Sequence, residues 1–491
     1  MYPFTRIKNF QNVDYFLASF SSYYLEAPQR PEFQPKGTTM NVKAILDIDL
    51  VALESTEKVT MMIDMTAPIS DAAQARPGQA VEVVLDRSGS MSGPVFESAK
   101  ESILKLIDRL APQDSFGLIA FDDQALVVAP MRTMADHHIP SLRKAVRDMQ
   151  TGGSTDISGG YTMGLRELSR VATDAGATLL LISDGHANAG EKDPKVLSQI
   201  ASANATKKIT TSTIGLGTGY DESILEALAQ GGNGAHRFAY TIDEAIGAIA
   251  AEVDDLLEKS VVNAVLRFTP SPQLTTNPRI EILQRLPHYM DGETYVVQLG
   301  DIYAGENRRF VIDIEVPGMP ALGLATIADI TLEYLDVASM QEISVSMPVQ
   351  VNVVPDDVAK GRTANPVVRA ERLILTAQAE KATAIQELGS GDNKKASSRL
   401  KSTAERLRRE ASEICAIDED SAESLQIITS EADEMDALAQ SAAFDDISYS
   451  SKRLNENFSE KTRARKMRNR DENPKTRLER IANIEETICD A

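Results

Sequence analysis

The sequence predicts an α/β protein in which helices cover a mostly parallel sheet, flanked by an antiparallel β-sandwich and followed by a C-terminal helical region. Between residues 81 and 258, short apolar runs alternate with segments of helical period. Between 260 and 353, apolar and polar residues alternate, and beyond 360 only the helical period remains. The chain of 491 residues is also too long for one ordinary core, so two or three domains are expected.

The α/β region, residues 78–258, contains continuous apolar runs that are typical of strands buried on both faces of a sheet. We predict strands at 81–85, 116–120, 125–129, 178–183 and 209–214, with a last one near 236–239. Helices are predicted at 93–110 and near 139–149, 156–173, 194–204, 221–230 and 242–258. Because strands and helices alternate, the sheet should be mostly parallel and covered on both sides.

Alternating residues on both sides of this region predict antiparallel strands. One strand is predicted over 41–50, a partner over 57–68, and about six more between 260 and 353. Pro348 places the last strand at an edge, because proline cannot donate a ladder hydrogen bond. We interpret the α/β region as an insertion into a sandwich built from both flanks, with an independent N-terminal hairpin as the alternative.

The C-terminal part shows helical period without strand signals. Residues 364–388 and 393–416 are predicted to form an antiparallel helix pair, and a third helix is predicted at 419–442. Residues 451–491 are highly charged. We interpret them as a solvated tail or exposed helix, with a partner or RNA contact as the alternative.

These patterns divide the chain into consecutive segments. They are an aromatic-rich N-terminal segment (1–36), β-strands that belong to the sandwich (37–74), the α/β domain (78–258), the β-sandwich (260–355), the helical region (360–445) and the charged C-terminal tail (446–491). We interpret the N-terminal segment as one that packs on the body of the protein or on a partner, with a disordered leader as the alternative.

Composition narrows the function classes. Asp and Glu number 72 against 51 Lys and Arg, a formal net charge of −21, which argues against a nucleic-acid binder. The two cysteines, Cys415 and Cys489, cannot build a disulfide framework or a cysteine-based zinc site. No apolar stretch is long enough to span a membrane, and the first residues lack a secretion signal. We therefore expect a cytoplasmic protein with no membrane contact.

A run of oxygen-bearing side chains follows the first strand of the α/β region. The sequence VEVVLDRSGS at 81–90 presents Asp86, Ser88 and Ser90, which alternate with Arg87 and Gly89. Sites in such sheets form at the carboxyl ends of the strands. Two further loops on the same predicted rim supply Thr155, in GGSTD, and Asp184, in ISDG. One carboxylate and two hydroxyls from the first loop would then meet one hydroxyl and one carboxylate from the others.

All five side chains offer hard oxygen atoms. Such ligands suit Mg²⁺, Mn²⁺ or Ca²⁺ rather than zinc or copper. We therefore predict a metal site formed by Asp86, Ser88, Ser90, Thr155 and Asp184. Two carboxylates and three hydroxyls leave the ion with net attraction for a further anion.

The set D-R-S-G-S, the threonine of G-G-S-T-D and the aspartate of S-D-G resemble the metal-ion-dependent adhesion site (MIDAS) of von Willebrand factor type A (VWA) domains. The resemblance covers about residues 78–255 and extends to bacterial VWA domain-containing proteins. It implies a Rossmann-like, doubly wound fold and a divalent ion, usually Mg²⁺. It also implies that a Glu or Asp carboxylate of a partner protein completes the coordination, and that this binding can couple to a shift of the last helix, here about 242–258.

Simpler roles exist for individual residues. Ser88 and Ser90 alone could cap a helix, but together with Thr155 and Asp184 they favour metal binding. We predict that Asp156 caps the following helix. Asp122 and Asp123 fit a hairpin turn, and His186 fits a structural role near the rim, because neutral imidazole is a poor partner for Mg²⁺.

Catalytic motifs are absent from the sequence. There is no P-loop, no H-E-x-x-H and no G-x-S-x-G, so we expect no enzyme. The favoured function is a metal-dependent protein-interaction module acting as a scaffold or adaptor. The alternatives are a regulatory subunit of an ATPase or kinase/phosphatase system and a metal-dependent hydrolase; surface adhesion is disfavoured by the missing secretion signal.

Overall fold

The computed structural model describes residues 39–462, apart from 69–76, 172–174, 242–243, 246, 250–258, 275–278, 285, 418–421 and 445–446. The N-terminal segment 1–36, the chain beyond 462 and most of the helix expected at 242–258 lie outside the described residues. The described strands form three sheets, and helices follow the last strand. None of the described helices is both long and apolar enough to cross a membrane.

The described strands, in chain order, are β1 (Asn41–Leu46), β2 (Leu50–Ala52), β3 (Glu57–Thr66), β4 (Ala80–Asp86), β5 (Ser115–Phe121), β6 (Ala125–Thr133), β7 (Ala177–Ser183), β8 (Ile209–Leu216), β9 (Asn233–Ala239), β10 (Lys259–Pro270), β11 (Ile280–Ile282), β12 (His288–Asp291), β13 (Thr294–Tyr303), β14 (Asn307–Val316), β15 (Gly323–Asp336) and β16 (Gln341–Val354).

The described α-helices, in the same order, are α1 (Pro94–Arg109), α2 (Ile139–Asp148), α3 (Ile157–Leu168), α4 (Pro194–Ala205), α5 (Glu222–Gly231), α6 (Asp356–Ala359), α7 (Pro366–Gly389), α8 (Asn393–Ile417), α9 (Ala422–Phe444) and α10 (Ile447–Thr462).

The α/β domain has one sheet with the strand order β6-β5-β4-β7-β8-β9. All neighbouring strands are parallel except β5 and β6, which form an antiparallel hairpin. In β4, Val83 packs with α1 and α2, whereas Val84 packs with α3, α4 and α5, since successive strand residues face opposite sides. Helices therefore cover both faces, and the predicted α/β class is confirmed.

The β-sandwich is formed by two sheets with the strand orders β1-β3-β14-β11 and β12-β13-β10-β15-β16-β2. Neighbouring strands in both sheets are antiparallel, except β16 and β2, which are parallel. The inner faces of the two sheets share one core, which includes Ile63, Phe310, Leu266 and Leu332. Strand β3 pairs with β14 from Glu57 to Thr66. This pairing joins the strands before the α/β domain to those after it, so they do not form a separate hairpin.

The expectation of a single strand at 41–50 is wrong. Strand β1 ends at Leu46, and the carboxylate of Asp47 accepts hydrogen bonds from the backbone N–H groups of Ile48 (2.8 Å) and Thr60 (2.7 Å). A side chain that takes these donors competes with the strand ladder. The chain then crosses to the other sheet, where β2 pairs in parallel with β16.

A buried ion pair joins the base of the α/β sheet to the sandwich. The Lys259 ammonium lies 2.7 Å from Asp301 Oδ2 and donates to Thr178 Oγ1 at 2.9 Å, while Thr210 donates to the same carboxylate at 2.5 Å. Burial alone would raise the pKa of Asp301, but Lys259 and the hydrogen bonds outweigh it and hold the pKa below its ordinary value. Thr178 and Thr210 belong to β7 and β8, near their amino ends.

The C-terminal helices α7 to α10 form a bundle with its own apolar core. A buried pair, Lys381 Nζ to Glu431 Oε1 at 2.7 Å, joins α7 to α9. The expectation that residues 451–491 are a solvated tail or exposed helix is wrong for the start of this segment. Residues 451–462 belong to α10, in which Lys452 is 5% and Leu454 is 1% exposed, because this helix packs against both the bundle and the α/β domain.

The core of the α/β domain holds an uncompensated carboxyl group. Glu82 lies in the middle of β4, is fully buried, and neither of its carboxyl oxygens has a hydrogen-bond partner within the described residues. Burial, and secondly the charge of Glu167, raise the pKa of Glu82 to about 9. Glu82 is therefore protonated at neutral pH in the folded protein.

Removal of the Lys259 ammonium should strongly destabilise the protein. Lys259→Met leaves Asp301 as a buried carboxylate without its cation, and loss of one partner of a buried pair costs about 3–5 kcal/mol. We expect the free energy of unfolding, measured by urea denaturation, to fall accordingly and to recover in part in Lys259→Met/Asp301→Asn. A single variant as stable as wild type would contradict this role of the pair.

Glu82 should make stability decline with pH. In the unfolded chain the carboxyl group ionises near its ordinary pKa of 4.5, whereas in the folded chain it stays protonated to about 9. The folded state then binds more protons between these values, so stability falls as pH rises, by about 3 kcal/mol at pH 7. Glu82→Gln should flatten this decline in denaturation series from pH 5 to 9, whereas the exposed control Glu101→Gln should not. Parallel pH profiles for Glu82→Gln and wild type would refute the assignment.

Candidate metal centre

The predicted site residues lie at the carboxyl-end rim of the α/β sheet. Asp86 is the last residue of β4, and Ser88 and Ser90 follow it before α1. Asp184 follows β7, the parallel neighbour of β4. Thr155 lies in the loop that leads into α3. Three loops that are far apart in sequence therefore approach one another because parallel strands end on the same side.

Short contacts bring the five side chains together. The backbone N–H of Ser88 donates to Asp86 Oδ1 at 2.7 Å. The hydroxyl oxygens of Ser88 and Ser90 lie 3.1 Å apart, and Ser90 donates to Asp184 Oδ1 at 2.7 Å. A Cβ atom placed on Gly185 would lie 3.0 Å from Thr155 Oγ1, 3.4 Å from Ser90 Oγ and 3.5 Å from Asp86 Oδ2. The oxygens of all five residues thus belong to one cluster, and their role as metal ligands stays a prediction.

Burial sets the electrostatics of this cluster. Asp86, Ser88 and Thr155 are at most 3% exposed, whereas Ser90 is exposed and Asp184 is half-buried. Burial raises the pKa of Asp86, and it raises the pKa of Asp184 to about 6, with the nearby charge of Asp86 adding to the effect. Within the described ranges, neither carboxylate has a Lys or Arg at ion-pair distance. The site is open to solvent on the Ser90 side.

The donor set fits a hard divalent cation. Two carboxylates and three hydroxyls are oxygen ligands of the kind that Mg²⁺, Mn²⁺ and Ca²⁺ prefer. No group of three or more His, Cys, Asp or Glu side chains suitable for a metal lies among the residues that the structure describes. Because residue 185 is a glycine, no side chain enters the space beside Thr155, Ser90 and Asp86. A cation there would offset the two desolvated negative charges.

Ser183 and Gly185 lie beside the site and were not predicted from the sequence. Ser183, the last residue of β7, donates to Asp86 Oδ2 at 2.5 Å and accepts from the backbone N–H of Gly185 at 3.2 Å. It therefore orients a predicted ligand from the neighbouring strand. The parallel pairing of two strand ends that carry Ser183 and Asp86 is the signal that could have indicated this contact.

The other residues considered from the sequence have structural roles. Asp156 caps α3 by accepting from the backbone N–H of Gly159 at 2.9 Å, as predicted. Asp122 lies in the predicted turn between β5 and β6 and also forms an ion pair of 2.7 Å with Arg87. His186 is exposed near the rim. None of these three acidic or imidazole groups is needed to complete the oxygen cluster.

Comparison with known proteins identifies the family of the α/β domain. Residues 81–251 match the family model of the von Willebrand factor type A domain. The chain is similar to the uncharacterized protein sll0103 of Synechocystis sp., with 26% identity over 334 residues, 66% of this chain and 77% of that protein. It is also similar to inter-alpha-trypsin inhibitor heavy chain H4 of Homo sapiens, with 27% identity over 164 residues, 32% of this chain but only 18% of that relative.

Two solved structures share the fold over most of the chain. One is a von Willebrand factor type A protein from Catenulispora acidiphila, with a TM-score of 0.63, 18% identity and coverage of 83% of this chain and 98% of that one. The other is the ArnB paralog VWA2 from Sulfolobus acidocaldarius, with a TM-score of 0.57, 14% identity and coverage of 86% and 99%. At these identities the likeness concerns the fold alone. Residues 81–251 therefore form a von Willebrand factor type A domain, a fold that typically mediates metal-dependent protein interactions.

Proposed function

We propose that this protein binds a partner protein through a divalent ion held by Asp86, Ser88, Ser90, Thr155 and Asp184, with the sandwich and the bundle as scaffold. The observation that carries the proposal is the convergence of these oxygen atoms at a solvent-open rim, where two desolvated carboxylates have no basic partner in the described structure. We propose Mg²⁺ as the resident ion, with Mn²⁺ and Ca²⁺ as substitutes.

The charge of the site explains why the partner should offer an acid. When bound, the ion supplies an electrophilic position that accepts an oxygen ligand from outside the chain. Five oxygen ligands from the chain would leave one position of a six-coordinate Mg²⁺ for an outside ligand. An anionic oxygen binds a divalent cation more strongly than a neutral one, so a Glu or Asp carboxylate of the partner is the favoured ligand. Ser90 lies on the exposed side of the cluster, which is where such a side chain can enter.

The proposal is one of binding without catalysis. Asp86 and Asp184 both serve as ligands of the ion in this proposal. The side chains of the protein hold and orient the ion, and none is assigned a catalytic step. We also propose a cytoplasmic location, which the small number of cysteines supports.

Loss of the Asp184 carboxylate should abolish metal uptake without unfolding the protein. Asp184 is half-buried and lies after a strand rather than inside the core, so Asp184→Ala should keep the wild-type melting temperature in EDTA. Isothermal titration with Mg²⁺ and Mn²⁺ should show one site in wild type and none in the variant. Thr155→Ser should bind the ion because it keeps the hydroxyl.

The matched control is Asp148→Ala, which removes an exposed carboxylate of the same domain at the end of α2. It should bind Mn²⁺ as wild type does. Equal affinity in wild type and Asp184→Ala, or no uptake by wild type, would contradict the proposed site.

Partner capture should depend on the ion and on an acid of the partner. Immobilised wild type in Mg²⁺ should retain a protein from native lysate that is lost in EDTA and lost with Asp184→Ala, but kept with Asp148→Ala. Replacement of one Glu or Asp of the captured protein by Gln or Asn should release it. Capture that survives EDTA would count against a metal-bridged contact.

A further inference from the structure

The loop between β8 and α5, residues 217–221, lies beside the candidate metal centre. The backbone N–H of Asp221 donates to the carbonyl oxygen of Gly185 at 3.2 Å. A Cβ atom on Gly219 would lie 3.3 Å from the carbonyl oxygen of Asp184. This loop therefore packs directly on the backbone that carries one predicted ligand and the glycine beside the oxygen cluster.

Tyr220 anchors this loop in the domain. Its side chain is 1% exposed, and its ring covers Gly215 of β8 so closely that a Cβ atom there would come within 2.3 Å of the ring. Its hydroxyl lies 3.2 Å from His236 Nε2 of β9. The conformation of the loop is therefore fixed on its inner side by packing against the sheet.

On its outer side the loop is held by Lys452 of α10. The Lys452 ammonium donates to the carbonyl oxygen of Tyr220 at 3.1 Å and lies 3.6 Å from the centroid of the Tyr220 ring. It also lies 3.6 Å from Glu222 Oε2 at the start of α5. An ammonium group above an aromatic ring is attracted by the ring, and more strongly when water is excluded, as it is for a side chain that is 5% exposed.

Further contacts fix α10 on the α/β domain. Arg453 donates to Glu244 at 2.9 Å, and Asn455 donates to Glu222. The Tyr449 ring packs edge-on against Phe238 at 6.1 Å between centroids. These contacts place α10 against β9 and the start of α5, so Lys452 is not an isolated surface contact.

The opposite side of α10 belongs to the helical bundle. Leu454 is buried in the bundle core, and Ser450 donates to the carbonyl oxygen of Ser441 at 2.9 Å. Asn457 accepts a hydrogen bond from Lys381 of α7 and donates one to Glu434 of α9. One helix thus connects the bundle core to the loop that supports the metal centre.

We propose that Lys452 is a positioning residue for the metal centre: by holding the Tyr220 loop against the Asp184–Gly185 backbone, it keeps the oxygen cluster in its metal-binding geometry and couples the helical bundle to that site. The inference rests on the proposed function, because it assumes that the cluster binds an ion. Mutation of a residue that does not bind the metal but orients one of its ligands commonly changes metal affinity tenfold or more. Coupling is reciprocal, so ion binding should also strengthen the docking of α10.

The test compares Lys452→Met with wild type in the full chain. Methionine keeps the length and the apolar stem but removes the charge. The Mn²⁺ dissociation constant should rise about tenfold, the lower end of the effect of outer-shell residues, because Lys452 acts on Asp184 through the 217–221 loop. Hydrogen exchange of backbone amides in 184–190 and 217–221 should become faster in metal-free protein. Lys452→Arg keeps a cation beside the Tyr220 ring. Its Mn²⁺ affinity and its amide exchange rates should therefore lie between those of Lys452→Met and those of wild type.

Arg408→Met is the matched control. It removes a cation that binds Asp433 and Asp436 within the bundle, far along the chain from the loop, and it should leave affinity and exchange unchanged. If Lys452→Met does not fold, as judged by its melting temperature, Asn455→Ala replaces it in the test. This variant removes the hydrogen bond from Asn455 to Glu222, which also fixes α10 at the start of α5. In wild type, saturating Mn²⁺ should slow exchange in 449–457.

Several results would overturn the inference. If wild type binds Mn²⁺ and Lys452→Met binds it equally well with unchanged exchange in 184–190, the positioning role fails while the proposed function stands. An equal loss in Arg408→Met would show a general effect of bundle stability and would also overturn it. If wild type takes up no divalent ion, both the proposed function and this inference fail.

Discussion

Two carboxylates at the ends of adjacent parallel strands impose the central constraint on this protein. Asp86 ends β4 and Asp184 follows β7, and the pairing of these strands forces both groups to the same rim. Burial raises the pKa of each group, which means that the folded chain alone stabilises their charged forms poorly. Hydrogen bonds from Ser90 and Ser183 offset only part of this cost. A divalent cation among the neighbouring hydroxyls is the simplest way to offset the rest.

Within the part of the chain that the structure describes, the sandwich is attached at the end of the α/β sheet opposite to this rim. Lys259 and Asp301 join the amino ends of β7 and β8 to the sandwich, and β3 and β14 close the sandwich on both sides of the insertion. The base of the α/β domain is therefore attached to the sandwich through buried charge, and the sandwich is itself closed by strands from both flanks of the insertion. The rim carries the loops with Asp86, Thr155 and Asp184, the usual place for a site at the carboxyl ends of parallel strands.

Helix α10 gives the bundle a direct connection to this rim. Its inner residues belong to the bundle core, and its outer residues contact β9, α5 and the Tyr220 loop. A signal that moves the bundle would reach Asp184 through Lys452, the 217–221 loop and Gly185, each in contact with the next. Such a route differs from a shift of the helix that follows β9, because it enters the site from a separate domain.

The class of the fold and the members of the site can be predicted from the sequence where the signal is local. Asp86 follows the apolar run 81–85 directly, and Asp184 lies one residue beyond the apolar run that ends before Ser183, so strand ends could be located from the pattern. The end of β1 before Asp47 could not be predicted in this way. Apolar and polar residues continue to alternate past Asp47, while its side chain accepts a hydrogen bond from the backbone of Thr60, which is distant in sequence. The packing of α10 was missed for a related reason: Lys452 and its partners Tyr220 and Glu222 lie more than 200 residues apart in the chain. Local patterns predict the elements, whereas contacts between distant elements need the assembled structure.

The most direct test of the central claim is a crystal of the protein grown with Mn²⁺, with anomalous scattering recorded at the manganese edge. We expect one strong anomalous peak at the rim, about 2.0–2.6 Å from ligand oxygens drawn from Asp86, Ser88, Ser90, Thr155 and Asp184. A map without a peak among these residues, or with manganese bound only elsewhere, would contradict the claim.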